Sequence, residues 1–394
     1  MTNMMVIKKN SIYIFIISFL LMISSSLYLS EIGINSSLLY LGYFLILLKI
    51  YKSLLKSKEV IYTQFFQVLL IVFLLSIGIL IQNLEIKQKI MLVLAYFLMA
   101  SFTILGKYFL KSIDDLKIVS YAILMGYIIV CVLSLIVGTS IIASVGEGVF
   151  SFGLTGGMGH KNIVAASLLV GLISIYTYII LGKKRNFDMY LVYIYILLIF
   201  LSGSRTIWIM TIIFFIISNM YIIKNLSKLK RYIFKFIITL LSIIIISIVI
   251  KYVLLESQNY LFRLLGVISF WDLHKDDYYH LVFGFSEIVY NSSNSYFENV
   301  WSLTEGIGTF EMGFLNIIAR MGIIGFVGYV VLFNIILKKA KKIENIKKRY
   351  ILYGIVYTML FSGFVELYIV SVQYVYTIMT LCIISFLSIN SKEI

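Results

Sequence analysis

The chain is a succession of long apolar segments separated by short polar ones. Most of these segments approach the 20 or so residues that an α-helix needs to cross the hydrocarbon core of a bilayer. They cover residues 11–29, 34–50, 60–82, 88–106, 118–138, 162–182, 188–202, 206–223, 233–252, 312–337, 350–368 and 372–389. The pattern therefore predicts an all-α integral membrane protein of about twelve transmembrane helices. Residues 1–394 form one membrane domain, with a large external loop at 253–311 between the ninth and tenth helices.

Composition excludes the soluble classes of protein. Hydrophobic residues make up 61% of the chain, charged residues 13%, and the mean hydropathy is +1.02. A soluble fold of this length would expose large apolar patches. Proline is absent, so any break inside a helix must come from glycine, serine or an inserted polar group.

The net charge of +15 does not indicate a nucleic-acid partner, because the lysines and arginines stand in short clusters between apolar segments. If the N-terminus is cytoplasmic, 25 of the 33 fall on the cytoplasmic side and 8 on the outside. That asymmetry is typical of a multi-pass protein of the bacterial plasma (inner) membrane. It predicts that both termini are cytoplasmic.

Several classes of activity lack their sequence signature. The chain has no Walker A sequence for ATP and no G-x-S-x-G nucleophile turn. Ion-coupled transporters usually carry ionisable groups at mid-membrane depth. The nearest candidate is Glu366, which we place close to the outer end of its helix, so a transporter is disfavoured.

The polar chemistry is concentrated on the predicted outer face. Arg205 opens a helix directly after a Gly/Ser turn, where its guanidinium could pair with phosphate oxygens. Alternatively, it is an interfacial arginine that reaches the lipid headgroups. His160, Lys161 and Asn162 follow a glycine-rich stretch at another helix N-terminus, which favours an anion. The alternative there is a flexible loop with a polar cap.

Two further arginines lie near the external loop. Arg263 falls early in the loop and Arg320 near the outer part of the tenth helix. Either could bind an anion or form a structural ion pair. Asp276 and Asp277 resemble half of an acidic metal site, but we interpret them as solvated loop charges.

Four motifs together resemble the O-antigen polymerase and ligase family. They are S-G-S-R-T at 202–206, G-H-K-N at 159–162, H-L-V-F-G-F at 280–285, and E-M-G-F-L at 311–315 followed by R-M-G-I-I-G at 320–325. Their order, spacing and predicted side of the membrane match over nearly the whole chain. The chain has Glu311 where the ligases have histidine, which favours the polymerase branch.

The resemblance implies polymerisation of undecaprenyl-diphosphate-linked oligosaccharide repeats on the outer face, for O-antigen, capsule or exopolysaccharide. Arg205 and Arg263 would stabilise the leaving diphosphate, and Glu311 would deprotonate the attacking hydroxyl. The remaining substrate-binding candidates are His160, Lys161, Asn162, His280, Glu305 and Arg320, of which Glu305 and His280 are the second choices for the base.

The expected partners are the lipid-linked donor and acceptor and the bilayer. A chain-length regulator and a flippase are further partners that the resemblance allows, and neither a metal nor a cofactor is expected. The alternatives are a ligase that transfers the finished polymer, a flippase for the same lipid-linked sugar, and a structural protein of the envelope. A flippase would line its cavity with polar groups at mid-depth, and a scaffold would not need Arg205.

Overall fold

A computed structural model describes most of the chain. The described residues are 2–56, 62–82, 85–144, 152–182, 186–224, 267–268, 270–271, 275–284, 312–369 and 371–389. The predicted ninth segment at 233–252 and most of the predicted loop at 253–311 lie outside these ranges. So do three predicted site residues, Arg263, Glu305 and Glu311.

The regular secondary structure of the described chain is helical apart from one short hairpin. The α-helices are α1 (Thr2–Ile23), α2 (Leu27–Glu31), α3 (Asn35–Lys56), α4 (Tyr62–Ile81), α5 (Ile86–Leu105), α6 (Ile113–Val137), α7 (Lys161–Leu181), α8 (Asn186–Leu201), α9 (Arg205–Ser218), α10 (Met220–Lys224), α11 (Tyr278–Phe283), α12 (Gly313–Lys341), α13 (Ile346–Val365) and α14 (Val375–Leu387). Single 3₁₀ turns follow α5 at Gly106–Tyr108 and α13 at Leu367–Ile369.

The architecture is that of an all-α membrane protein. Within the described ranges, seven helices are long and apolar enough to cross a membrane. Every predicted apolar segment within the described residues contains a helix, and the count of twelve spans stays a prediction. Phe66 and Phe73, two turns apart on α4, are 65% and 59% exposed. Such a face is suited to lipid rather than water.

The centre of the bundle is formed by α7 and α14. Every residue of α14 from Val375 to Leu387 is buried, and so are 15 of the 21 residues of α7. A helix that is apolar on all sides belongs in the interior, packed by neighbours all round. The helices that pack around α7 therefore also surround its polar first turn.

Helix α12 is broken at Gly322, which adopts φ +67° and ψ −174°. The prediction that a proline-free chain would break its helices at glycine or polar residues is confirmed here. The stretch 323–341 forms about 28 Å of helix, close to the thickness of the hydrocarbon core. The part of α12 after the break is therefore long enough to cross most of the hydrocarbon core.

Helix α11 packs into this break. A side chain at Gly322 would overlap the carbonyl of Val282, and one at Gly284 would lie 2.5 Å from the backbone of Arg320. Gln82, directly after α4, donates through Nε2 to the carbonyl of Phe283 at 2.8 Å and also to that of Gly284. The turn at 283–284 is thus held between α4 and α12.

The hairpin was not predicted from the sequence. Strand β1 (Ile142–Ser144) pairs antiparallel with β2 (Phe152–Leu154) in the Gly- and Ser-rich segment between α6 and α7. Three-residue strands are too short to show a period-two pattern. The hairpin leads the chain to the N-terminus of α7.

Candidate functional site

The first turn of α7 is capped by a histidine. His160 Nδ1 accepts a hydrogen bond from the backbone N–H of Asn162 at 3.2 Å. The ring proton therefore lies on Nε2, which is left as a donor. Burial, followed by the positive charge of Lys161, lowers the pKa of His160 below its ordinary value. The ring is neutral at neutral pH and can donate to an anion without carrying charge.

The chain segment that leads into this helix cap requires glycine. Gly157 has φ +81°, and a side chain there would overlap Ser134 of α6. The Gly157 carbonyl also accepts a hydrogen bond from the N–H of Leu27 at 2.9 Å. Close backbone packing against α6 and α2 thus fixes where α7 begins.

Asn162 links three helices at one end of the bundle. Its Nδ2 donates to Glu366 Oε1 at 2.9 Å, and its Oδ1 accepts from the Ser204 hydroxyl at 2.7 Å. Glu366 directly follows α13, and Ser204 directly precedes α9. One amide therefore ties the starts of α7 and α9 to the end of α13.

The turn between α8 and α9 is built to present Arg205. Ser202 Oγ donates to the carbonyl of Ile199 at 2.6 Å and accepts from the N–H of Ser204 at 3.2 Å, while Gly203 takes φ +67°. This turn leaves Arg205 at the first position of α9. Gly153 of the hairpin packs so closely on the Ser202 carbonyl that a side chain would overlap it.

A second arginine approaches from α12. Arg320 precedes the break at Gly322 by two residues, and its buried Nε has no hydrogen-bond partner among the described residues. Gly313, at the start of the same helix, packs so closely on the Glu366 carbonyl that a side chain there would lie 2.7 Å from its oxygen. The part of α12 that carries Arg320 therefore begins beside the Asn162–Glu366 pair.

The resulting cluster is basic. We call Lys161, Asn162, Arg205, Arg320 and Glu366 the basic cluster. Lys161 and Arg205 lie close enough for their positive charges to interact. The cluster contains three cationic side chains and one carboxylate, and that carboxylate accepts a hydrogen bond from Asn162. Lysine and arginine side chains are suited to binding an anionic ligand such as a diphosphate.

The remaining predicted residues fall into two groups. Arg263, Glu305 and Glu311 lie outside the described residues. His280 lies in α11, where its Nδ1 contacts Asp277 Oδ2 at 2.5 Å. Asp277 also accepts from the N–H of His280 at 3.1 Å and so caps α11.

Sequence reasoning missed Glu366, which organises the site, and Gln82, which holds α11 in place. Glu366 was weighed as a transporter group, although a lone carboxylate ending an apolar helix was a signal for a partnered site. Gln82 was not singled out, although a single amide directly after a long apolar helix is a similar signal.

Comparison with protein-family models finds no match for this chain, and comparison with curated protein sequences finds none either. The functional interpretation therefore rests on the motifs and on the geometry of the basic cluster.

Proposed function

We propose that the protein is a polysaccharide polymerase, a membrane glycosyltransferase that joins undecaprenyl-diphosphate-linked oligosaccharide repeats. One observation carries the proposal. The G-H-K-N motif and the S-G-S-R-T motif are far apart in the sequence, yet they meet through the hydrogen bond between Asn162 and Ser204. The helix that carries the arginine of R-M-G-I-I-G begins against Glu366, which Asn162 binds. These are motifs on which the resemblance to the O-antigen polymerase and ligase family rests.

The proposed reaction needs a site for a lipid diphosphate. A hydroxyl of the acceptor repeat attacks the anomeric carbon of the donor glycan, and the bond from that carbon to the diphosphate oxygen breaks. Undecaprenyl diphosphate leaves with the bonding electron pair. Lys161, Arg205 and Arg320 would stabilise the charge that grows on the leaving group, with Arg263 as a further candidate. His160 would add a neutral donor through Nε2.

The hydroxyl proton must pass to a base. We retain Glu311 for this role, with Glu305 and His280 as second choices. Asn162 acts as a positioning residue, because it fixes the first turn of α7 against Ser204 and Glu366.

The distribution of ionisable groups supports an enzyme acting at the membrane surface over a flippase. In the described helices, Lys, Arg, Asp and Glu lie within about two turns of a helix end. A flippase for a charged lipid-linked sugar would need such groups at mid-depth. We further propose that the basic cluster faces outward from the bacterial plasma membrane, with both termini cytoplasmic, because the lysine-rich helix ends lie opposite it.

The experiment is a gel analysis of lipid-linked and surface glycans from a clean deletion strain. A polymerase predicts that single-repeat lipid-linked units accumulate and that the long-chain ladder disappears. Long polymer stranded on its lipid would instead identify a ligase. Single units trapped on the cytoplasmic leaflet would identify a flippase, and either result would overturn the proposal.

Complementation of the deletion strain tests the site itself. Arg205→Ala should leave single repeats unpolymerised at normal protein level. Lys338→Ala is the matched control, because it removes one exposed positive charge from the end of α12 that lies away from the basic cluster. Full-length polymer from the Arg205→Ala strain would remove Arg205 from the mechanism.

A further inference from the structure

Glu366 occupies a position that ordinary helix chemistry disfavours. It caps the C-terminal end of α13, where the last carbonyl groups of a helix carry partial negative charge and repel a carboxylate. The first turn of α7, to which Asn162 joins this carboxylate, carries the opposite partial charge. Residues that depart from a local preference in this way are expected at functional sites.

The carboxylate of Glu366 is held in a fixed orientation. Asn162 Nδ2 donates to Glu366 Oε1 at 2.9 Å, and Asn162 Oδ1 accepts from the Ser204 hydroxyl at 2.7 Å. The Asn162 amide cannot turn over without losing the bond to Glu366, because its oxygen cannot donate. A carboxylate has about four acceptor sites, so the bond from Asn162 positions this group without saturating it.

The backbone around Glu366 is also closely packed. A side chain at Gly313 would lie 2.7 Å from the Glu366 carbonyl oxygen. A side chain at Gly363 would lie 2.7 Å from the ring of Phe314. Both glycines let the end of α13 rest directly against the start of α12. A group held in this way needs little reorganisation when charge develops beside it.

The residues on either side of this amide lead to cations. Lys161 directly precedes Asn162 in the chain. Arg205 directly follows Ser204, and its charge interacts with that of Lys161. The two ends of one amide therefore hold the carboxylate beside the turn that presents Arg205, so that charges of both signs are fixed in one site.

The proposed reaction separates charge in the same way. As the bond from the anomeric carbon to the diphosphate oxygen breaks, negative charge grows on the diphosphate. Positive charge grows on the anomeric carbon and ring oxygen of the donor sugar. Lysine and arginine side chains are suited to the first charge, and a fixed carboxylate is suited to the second.

We propose that the carboxylate of Glu366 is a catalytic group that faces the anomeric carbon of the donor sugar and stabilises its positive charge in the transition state. This assignment rests on the proposed polymerase reaction and adds a group that acts on the donor sugar. Glu366 forms no bond to the sugar and takes up no proton. The hydroxyl proton still passes to the base, and the electron pair of the broken bond still leaves with undecaprenyl diphosphate.

Glu366→Gln removes the charge and keeps the contact, because the amide oxygen of glutamine can accept from Asn162 Nδ2. Purified full-length protein in liposomes is given saturating lipid-linked repeats extracted from the deletion strain, and the initial rate of joining is measured. The rate should fall about 10²–10³-fold, as for the loss of one preorganised electrostatic group. Joining at the wild-type rate would overturn the proposal.

Binding of undecaprenyl diphosphate distinguishes catalysis from a structural role. Radiolabelled undecaprenyl diphosphate is titrated against each purified protein in micelles. Glu366→Gln should bind it at least as tightly as the wild type, because a negative charge that repels the diphosphate has been removed. A carboxylate that only holds the cationic side chains in place would give the opposite result. Weaker binding by this variant would therefore overturn the proposal.

Two further variants complete the test. Glu31 is an exposed carboxylate at the end of α2, and the bond from Leu27 to Gly157 joins α2 to the segment that leads into α7. Glu31→Gln should change rate and affinity less than about twofold, because an exposed charge is screened. Glu366→Asp keeps the charge on a shorter side chain, so it should recover part of the rate. If Glu366→Gln does not fold, Glu366→Asp should still join repeats more slowly than the wild type while binding undecaprenyl diphosphate as tightly.

The pH dependence separates this role from that of the base. The wild-type rate should fall in acid as the base is protonated, and this acid limb should remain in Glu366→Gln because Glu311 is unchanged. Loss of the limb would make Glu366 the base and overturn the assigned role. Wild-type protein that leaves the repeats single would overturn the proposed function itself, whereas an active wild type with an equally active Glu366→Gln would overturn only the role of Glu366.

Discussion

Replacing Gly322 by alanine should release α11 from the bundle. Gly322 has φ +67° and ψ −174°, a region that residues with a side chain rarely occupy. The added Cβ would also lie 2.5 Å from the backbone nitrogen of Phe283 and closer still to the Val282 carbonyl. Both obstacles are backbone atoms, so no side-chain rotation can relieve the overlap.

The size of the effect can be worked from these contacts. The backbone conformation alone costs about 1–3 kcal/mol for a residue other than glycine. If α11 moves away, the two hydrogen bonds from Gln82 to Phe283 and Gly284 are lost, at about 1 kcal/mol each. Six residues cannot maintain a helix in isolation. We therefore expect α11 to unfold locally while the remaining helices stay packed.

Hydrogen exchange, followed by mass spectrometry on purified protein, measures this local unfolding of α11 directly. The amides of Leu281 and Gly284 bond within α11, so their protection should fall at least about 25-fold, the equivalent of about 2 kcal/mol. Gly138→Ala is the control, because Gly138 has φ +81° with no atom within 4 Å of its Cβ position. If Gly322→Ala left protection at 278–284 as high as the control does, the packing described for α11 would be wrong.

Three predictions concern the basic cluster and the histidine that caps α7. Asn162→Ala should reduce polymer formation more than about tenfold, because the start of α7 loses its bonds to Ser204 and Glu366; normal chain length from this variant would show that the link is dispensable. Arg205→Ala should lower the rate of repeat joining by about 10²–10³. Arg205→Lys should restore part of that rate, because lysine keeps the positive charge but cannot make the bidentate contact. Polymer formation at the wild-type rate by Arg205→Ala would contradict both expectations. Burial and Lys161 lower the pKa of His160 from 6.5, so the unfolded chain binds the proton more readily and stability should be lost as the pH falls below about 6.5. His160→Asn keeps a hydrogen-bond acceptor at the helix cap but does not titrate. If the unfolding midpoint of this variant fell as steeply with decreasing pH as that of the wild type, His160 would not be the group responsible.

The helices were readable from the sequence because apolar length is the dominant signal in a membrane protein. The absence of proline also allowed a general prediction, that breaks would fall at glycine or polar residues, which Gly322 confirms. The position of that break was not readable. It depends on α11 reaching α12 across some 40 residues of chain, and no local pattern reports such a contact.

The site was predictable in part. Glycine followed by His160, and serine followed by Arg205, are local patterns at helix starts, and the structure places both at helix N-termini. The bond from Asn162 to Glu366 joins residues 204 apart, and it arises only because α9 and α13 pack against each other near α7. Long-range pairing of this kind depends on packing that a single sequence does not reveal.

Reconstitution tests the proposed function most directly. Purified protein in liposomes is given the lipid-linked repeats extracted from the deletion strain, and chain length is followed together with free undecaprenyl diphosphate. We predict a ladder of lengthening chains, with one undecaprenyl diphosphate released for each bond formed, and little of either with Arg205→Ala. Repeats that stay at single length with folded wild-type protein, or a ladder that Arg205→Ala forms equally fast, would contradict the proposal that the basic cluster performs polymerisation.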